Sequence, residues 1–168
     1  MERGLAAENR RQAWRQGKAN QGAPGGEGRT SEEFPALARE HGPSSRQARR
    51  DGTDQPSPVR RTEIPQRHGP GTRWLGVPPV VERVRQQALA QVLGPLLDPG
   101  FSASSFGFRP GRSAHQAVKQ IQRYLTMGAK VAGELTRAKF FDRVNHAALR
   151  ARVARQVRDK AVLRLIGK

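Results

Sequence analysis

Arg109 and Arg112 sit around a Pro-Gly turn in the string FGFRPGRSAHQAV (Phe106 to Val118), and Lys119 follows it directly. Guanidinium forks and the N–H groups of a helix start both suit phosphate. Phe106 and Phe108 alternate with these cations, a pairing suited to a nucleobase or a sugar. The same spacing also fits two core phenylalanines beside a solvated arginine rim. Several other chemistries are excluded. The chain has no cysteine, so disulfide scaffolds, zinc fingers and thiol nucleophiles are out. His41, His68, His115 and His146 are too scattered to share a metal. The glycines between Gly69 and Gly76 lack the Gly-Lys-Ser/Thr ending of a P-loop, and no Gly-x-Ser-x-Gly elbow occurs.

The charge balance agrees with a polyanionic partner. The 168 residues carry 31 Lys+Arg against 14 Asp+Glu, a net of +17, and such a field favours phosphate-rich ligands. It is unevenly placed. Residues 1–62 hold twelve basic and eight acidic residues, a net of +4, whereas residues 63–168 hold nineteen and six, a net of +13. The front instead concentrates turn formers, as in GAPGGEG (Gly22 to Gly28) and GPSSRQARRDGTDQPSP (Gly42 to Pro58). Such stretches bury too little apolar surface to offset ordering entropy, so residues 1–58 are expected to be largely flexible. No apolar run approaches the ~18–20 residues that span a bilayer, and the N-terminus lacks a signal-peptide core. A cytoplasmic, nucleic-acid-facing protein without a membrane partner is the expectation.

Local signals sharpen after residue 58. VRRTEI (Val59 to Ile64) and TRWLGV (Thr72 to Val77) read as strands of a hairpin around HGPG (His68 to Gly71). Pro78 and Pro79 then lead into a helix over Val80 to Leu97, where Val84, Ala88, Leu89, Val92, Leu93, Leu96 and Leu97 recur at helical spacing. Ser113 with Gln116 predicts a capping box, and Gly128 can end that helix. KVAGEL (Lys130 to Leu135) reads as a weak strand. Asn145 and Asp159 predict the N-caps of two short helices. The class is α+β, with a β-hairpin, several helices and a loosely ordered N-terminal segment.

Three strings carry a resemblance: TRWLGVPPVVERVRQQAL (Thr72 to Leu89), FGFRPGRSAHQAV, and KFFDRVNH (Lys139 to His146). In this order and spacing the chain resembles the fingers and early palm of group II intron reverse transcriptase–maturases. NQGAPGGEGRTSEEF (Asn20 to Phe34) and PSPVRRTEIP (Pro56 to Pro65) resemble that family's N-terminal extension. The resemblance implies three regions: an extension over 1–58, a fingers-like region over 59–128, and the start of a palm over 129–168. It also implies template-RNA contact by Arg109, Arg112 and Lys119, and nucleotide contact by Arg73 and Phe141. Arg73 matches an arginine that grips the incoming triphosphate, while Gln66 stands where its lysine companion would be and Arg67 lies beside it. Phe141 matches an aromatic that screens the sugar.

Polymerase chemistry in the intact family uses Mg²⁺ held by carboxylates. Here Thr136 occupies the first aspartate position, and a neutral hydroxyl cannot replace a charge that binds a hard cation. Glu134 would serve only if the strand shifted by two residues. The family's Asp-Asp hairpin falls beyond Lys168, and Asp142 matches no metal ligand. The resemblance therefore implies no catalytic residue, metal site or cofactor for this chain, and no polymerase activity by it alone. RNA, intron or template, is the expected partner, with a DNA primer and a complementing reverse transcriptase chain as further ones. Gln66, Trp74, Gly133 and Thr136 depart from the family pattern where function would keep charge or geometry. A decaying reading frame and one half of a split enzyme thus stand beside retained RNA binding.

Overall fold

The computed structural model describes residues 6–40, 42–66, 70–136 and 140–167. Arg67, His68, Lys139 and His41 lie outside them, as does the side chain of Asp142. Helix α1 (Ala7–Ala19) opens the chain, followed by α2 (Phe34–Glu40) and α3 (Gly42–Asp51). The hairpin strands β1 (Arg60–Pro65) and β2 (Thr72–Val77) come next, then the long helix α4 (Val80–Leu97). A 3₁₀ turn at Asp98–Gly100 leads to an irregular loop and to α5 (Ala114–Thr126). A second 3₁₀ turn, Phe141–Arg143, precedes α6 (His146–Ala154) and α7 (Lys160–Ile166). The arrangement is α+β, with one antiparallel two-stranded sheet among the described residues.

Helix α4 organises the core. Val80, Val84 and Ala88 recur every fourth residue, so they line one face, and all three are buried. Ala13 of α1 meets Val84 and Ala88 and is fully buried, with Trp14 and Phe34 packed partly against the cluster. Burying each such valine contributes about 1.5–3 kcal/mol. Polar links set the pairing of the two helices. Asn9 Nδ2 donates to the Ala88 carbonyl at 2.9 Å, and Gln91 Nε2 donates to Asn9 Oδ1 at 2.7 Å. Trp14 Nε1 donates to the Ser31 carbonyl at 2.7 Å, tying the following loop to α1.

The start of α4 is held by the same N-terminal segment. Pro79 cannot cap with a side chain, and Glu27 Oε1 instead accepts from the Val80 N–H at 2.8 Å. A carboxylate there satisfies an orphan donor and complements the helix dipole. Gly25 lies so close that a Cβ would sit 2.7 Å from Pro79 Cα, which only glycine permits. Among the described residues of the segment expected to be loosely ordered there are thus three helices, with irregular stretches at 20–33 and 52–59. The core forms from both sides of residue 58.

The hairpin and the helix ends match local signals. Strand β1 runs one residue later than expected, pairing Arg60 with Val77 and Pro65 with Thr72. The Gln66 N–H donates to the Gly71 carbonyl at 3.0 Å just beyond that last pair. Ser113 accepts from the Gln116 N–H at 3.3 Å and the Gln116 side chain returns to the Ser113 N–H at 2.9 Å, completing the capping box. Gly128 takes a φ of 100° after α5, the left-handed conformation that glycine adopts freely. Asn145 and Asp159 cap α6 and α7 as their spacing predicts. One expectation is overturned. Residues 130–136 form no strand but an irregular, exposed stretch, with Val131 at 90% and Leu135 at 100% exposure. Strand-forming side chains need a neighbouring strand to complete their hydrogen bonds, and Gly133 weakens the preference further.

Candidate nucleic-acid interface

The cationic string occupies the loop between Asp98 and α5, and its two arginines differ. Arg109 turns inward. Its Nε donates to Asp98 Oδ1 at 2.7 Å, and its Nη2 to Asp98 Oδ2 at 3.1 Å and the Asp98 carbonyl at 3.2 Å. Its Nη1 donates to the carbonyls of Ser102 and Ser105 at 2.8 and 3.0 Å. A guanidinium has five N–H donors, so this network engages every one. The hydrogen bond from Arg109 holds the Asp98 carboxyl below its ordinary value, against an opposing push from desolvation. The same bond raises Arg109. Phe101 lies beneath the guanidinium, 5.5 Å from its centre.

Arg112 faces outward. Its Nη1 donates to the Ala103 carbonyl at 3.1 Å, and its guanidinium lies 5.5 Å from the centre of the Phe106 ring. Lys119, one turn into α5, is exposed and makes no hydrogen bond or ion pair among the described residues. Phe106 is half-buried, whereas Phe108 stands wholly in solvent, so the two rings do not form one core. Asp98 was not found by sequence reasoning. The partner lies eleven residues upstream of Arg109, outside any helical or strand period; the signal was an arginine inside a turn-rich loop that needs internal donors.

The residues linked to nucleotide binding do not converge among the described residues. Arg73 lies opposite Ile64 in the hairpin; its side chain is exposed and makes no hydrogen bond or ion pair among the described residues. Gln66, in the lysine position, donates its side-chain amide to the Thr72 carbonyl at 3.4 Å. Trp74 is covered on one side by the guanidinium of Arg61, 3.9 Å from the ring centre. Phe141 is 85% exposed in the second 3₁₀ turn and meets Phe140 edge-on, with centroids 5.3 Å apart. No bond or ring contact joins it to Arg73.

Thr136 and Glu134 are exposed in the irregular stretch, where strand alternation no longer aligns them. Among the described residues no group of three or more His, Cys, Asp or Glu could hold a metal. Nor is any described helix long and apolar enough to cross a membrane.

No family model matches the chain, but curated relatives do. Over 124 residues, 73% of this chain, it is 35% identical to the group II intron-encoded protein LtrA of Lactococcus lactis subsp. cremoris. Over 92 residues it is 36% identical to the mitochondrial nuclear intron maturase 2 of Arabidopsis thaliana. The chain is a distant homologue of group II intron-encoded maturases. Protein YkfC of Escherichia coli strain K12 is similar too, 34% identical over 121 residues, 70% of this chain. The match spans 32% of YkfC, 20% of LtrA and 12% of the Arabidopsis maturase.

Proposed function

We propose that this maturase homologue binds intron or template RNA through its basic fingers-like region and does not polymerise DNA by itself. The observation that carries this reading is the net charge of +13 over residues 63–168, part of it on exposed side chains without partners among the described residues. Lys119 and Arg73 are such cations, and Arg112 offers the face of its guanidinium not turned to Phe106. Arg109 acts from beneath, through the loop it holds. Phe141 is the residue that would meet the sugar of a nucleotide beside a DNA primer. In this reading residues 1–58 are an extension, 59–128 the fingers and 129–168 the start of the palm. Its place is the compartment where intron RNA is made, the cytoplasm of a bacterial-type cell or an organelle.

The absence of polymerase activity rests on Thr136. Two-metal catalysis loses several kcal/mol of transition-state stabilisation without its charged ligands, and the neighbouring Glu134 is exposed in the same irregular stretch. A second reading has its own support. Helix α5 exposes Val118, Ile121 and Leu125 at 54%, 54% and 52% along one face, which suits completion by another reverse transcriptase chain.

The test is a salt titration of RNA binding by the purified, folded chain, with magnesium-dependent primer extension alongside. Affinity should fall about tenfold or more between low and physiological salt as counterions are released, and no nucleotide should be incorporated. A flat salt dependence would remove the RNA reading. Incorporation abolished by chelation would remove the claim of inactivity.

A further inference from the structure

Phe108 combines two unfavourable features. Its φ is 56°, a left-handed conformation that bulky L-residues avoid, and its side chain is exposed at 112%. A ring held in water gains nothing from burial, and a strained backbone persists only where its surroundings over-determine it. Those surroundings are on both sides in sequence. Arg109, the next residue, is fastened to Asp98, Ser102 and Ser105. Arg112 closes the turn, its N–H donating to the Arg109 carbonyl at 3.2 Å. A rigid loop therefore presents a strained aromatic ring to solvent, and cations stand close in the chain.

We propose that Phe108 is a stacking platform for an unpaired RNA base, and that the Asp98–Arg109 pair positions it. This rests on the RNA-binding reading and deepens it, from a basic surface to a single-stranded base on one ring. The nearby charges decide between occupants. Arg112 and Lys119 are the exposed cations nearest the ring in sequence, and phosphates on either side of an unpaired base would be drawn to them while its π face covers the ring. An apolar protein pocket would have to strip water from those same charges without pairing them. With all its donors engaged internally, Arg109 is a positioning residue rather than a contact.

The experiment uses the full chain and a short labelled single-stranded RNA, plus copies carrying one abasic site at each position in turn. Phe108→Ala should weaken binding about tenfold with the salt slope unchanged, and Phe108→Trp should restore it. At one abasic position the wild-type chain should lose a similar factor, and Phe108→Ala should lose nothing more. Phe108→Gly relieves the positive φ, so it should melt at or above the wild-type temperature while binding as weakly as Phe108→Ala. Asp98→Asn should weaken binding to the intact RNA but not to that abasic copy. Wild-type affinity in Phe108→Ala, or equal loss on every abasic copy, overturns the platform alone. No salt-dependent binding by the wild-type chain overturns the RNA reading and the platform together.

Discussion

Helices α4 and α5 both carry apolar residues at helical spacing, yet one buries its face and the other leaves it in water. On α4, Val80, Val84 and Ala88 are at most 4% exposed beneath α1. On α5, none of Val118, Ile121, Tyr124 and Leu125 is less than 45% exposed. Helix α5 is nonetheless well made, with a complete capping box at its start and Gly128 after its end. The contrast separates two sources of helix stability. End capping and dipole terms are local, whereas packing of an amphipathic face requires a second element. α4 has both its neighbours and its polar links; α5 has its ends and a side-chain link between Tyr124 and Ser104 at 3.4 Å.

The comparison predicts unequal responses to the same substitution. Val84→Asp places an unpaired carboxylate in the core and should cost at least about 3 kcal/mol. Ile121→Asp, on the exposed face of α5, should stay within about 0.5 kcal/mol. Thermal or urea unfolding followed by circular dichroism measures both, and equal losses would erase the distinction between the two helices.

Removing the cap of α5 should be intermediate in size. Ser113→Ala deletes the acceptor for the Gln116 N–H and should cost about 1 kcal/mol. Because α5 lacks a buried face, the loss should appear as faster amide exchange confined to residues 114–126 rather than as a shift of the main transition. Protection lost equally in α4 would show that the two helices unfold as one unit.

The smallest effect is set by pH. The hydrogen bond from Arg109 lowers the Asp98 carboxyl from its ordinary value. A group with a depressed folded-state pKa contributes stability above its unfolded value, about 4, and loses it as pH falls through the folded one. Exchange in the loop over residues 101–113 should therefore quicken on acidification below about pH 4. Asp98→Asn should quicken it at neutral pH and flatten the acid step. An acid response unchanged in Asp98→Asn would place its origin in another carboxylate.

Legibility followed the range of the interactions. The second hairpin strand, the span of α4, the capping box at Ser113 and the caps at Asn145 and Asp159 all rest on contacts within a few residues, and each was readable. Helix α1 was not, because its sequence, AENRRQAWRQGKA, offers few apolar residues and is buried only at Ala13. Its abundance of Ala, Arg, Gln and Lys was a usable signal of helix preference that turn-rich neighbours obscured. Lys130 to Leu135 shows the reverse error. Strand propensity was present there, and among the described residues no partner strand lies beside it.

The candidate interface divides in the same way. That the FGFRPGR string is a cationic and aromatic loop was plain from its residue types. Arg109 and Arg112 are equivalent by composition, and only the folded chain assigns one inward to Asp98 and the other outward over Phe106.

By itself the sequence determined the likeness to group II intron-encoded maturases, the excess of positive charge and several helix ends. These are properties of residue type and short spacing. Tertiary structure decided which apolar faces are covered, that the front segment contributes Ala13 and Leu37 to the buried core, and that Phe108 rather than Arg109 reaches solvent. Each of those depends on groups far apart in the chain meeting, and a contact between distant residues has no signature in either residue alone.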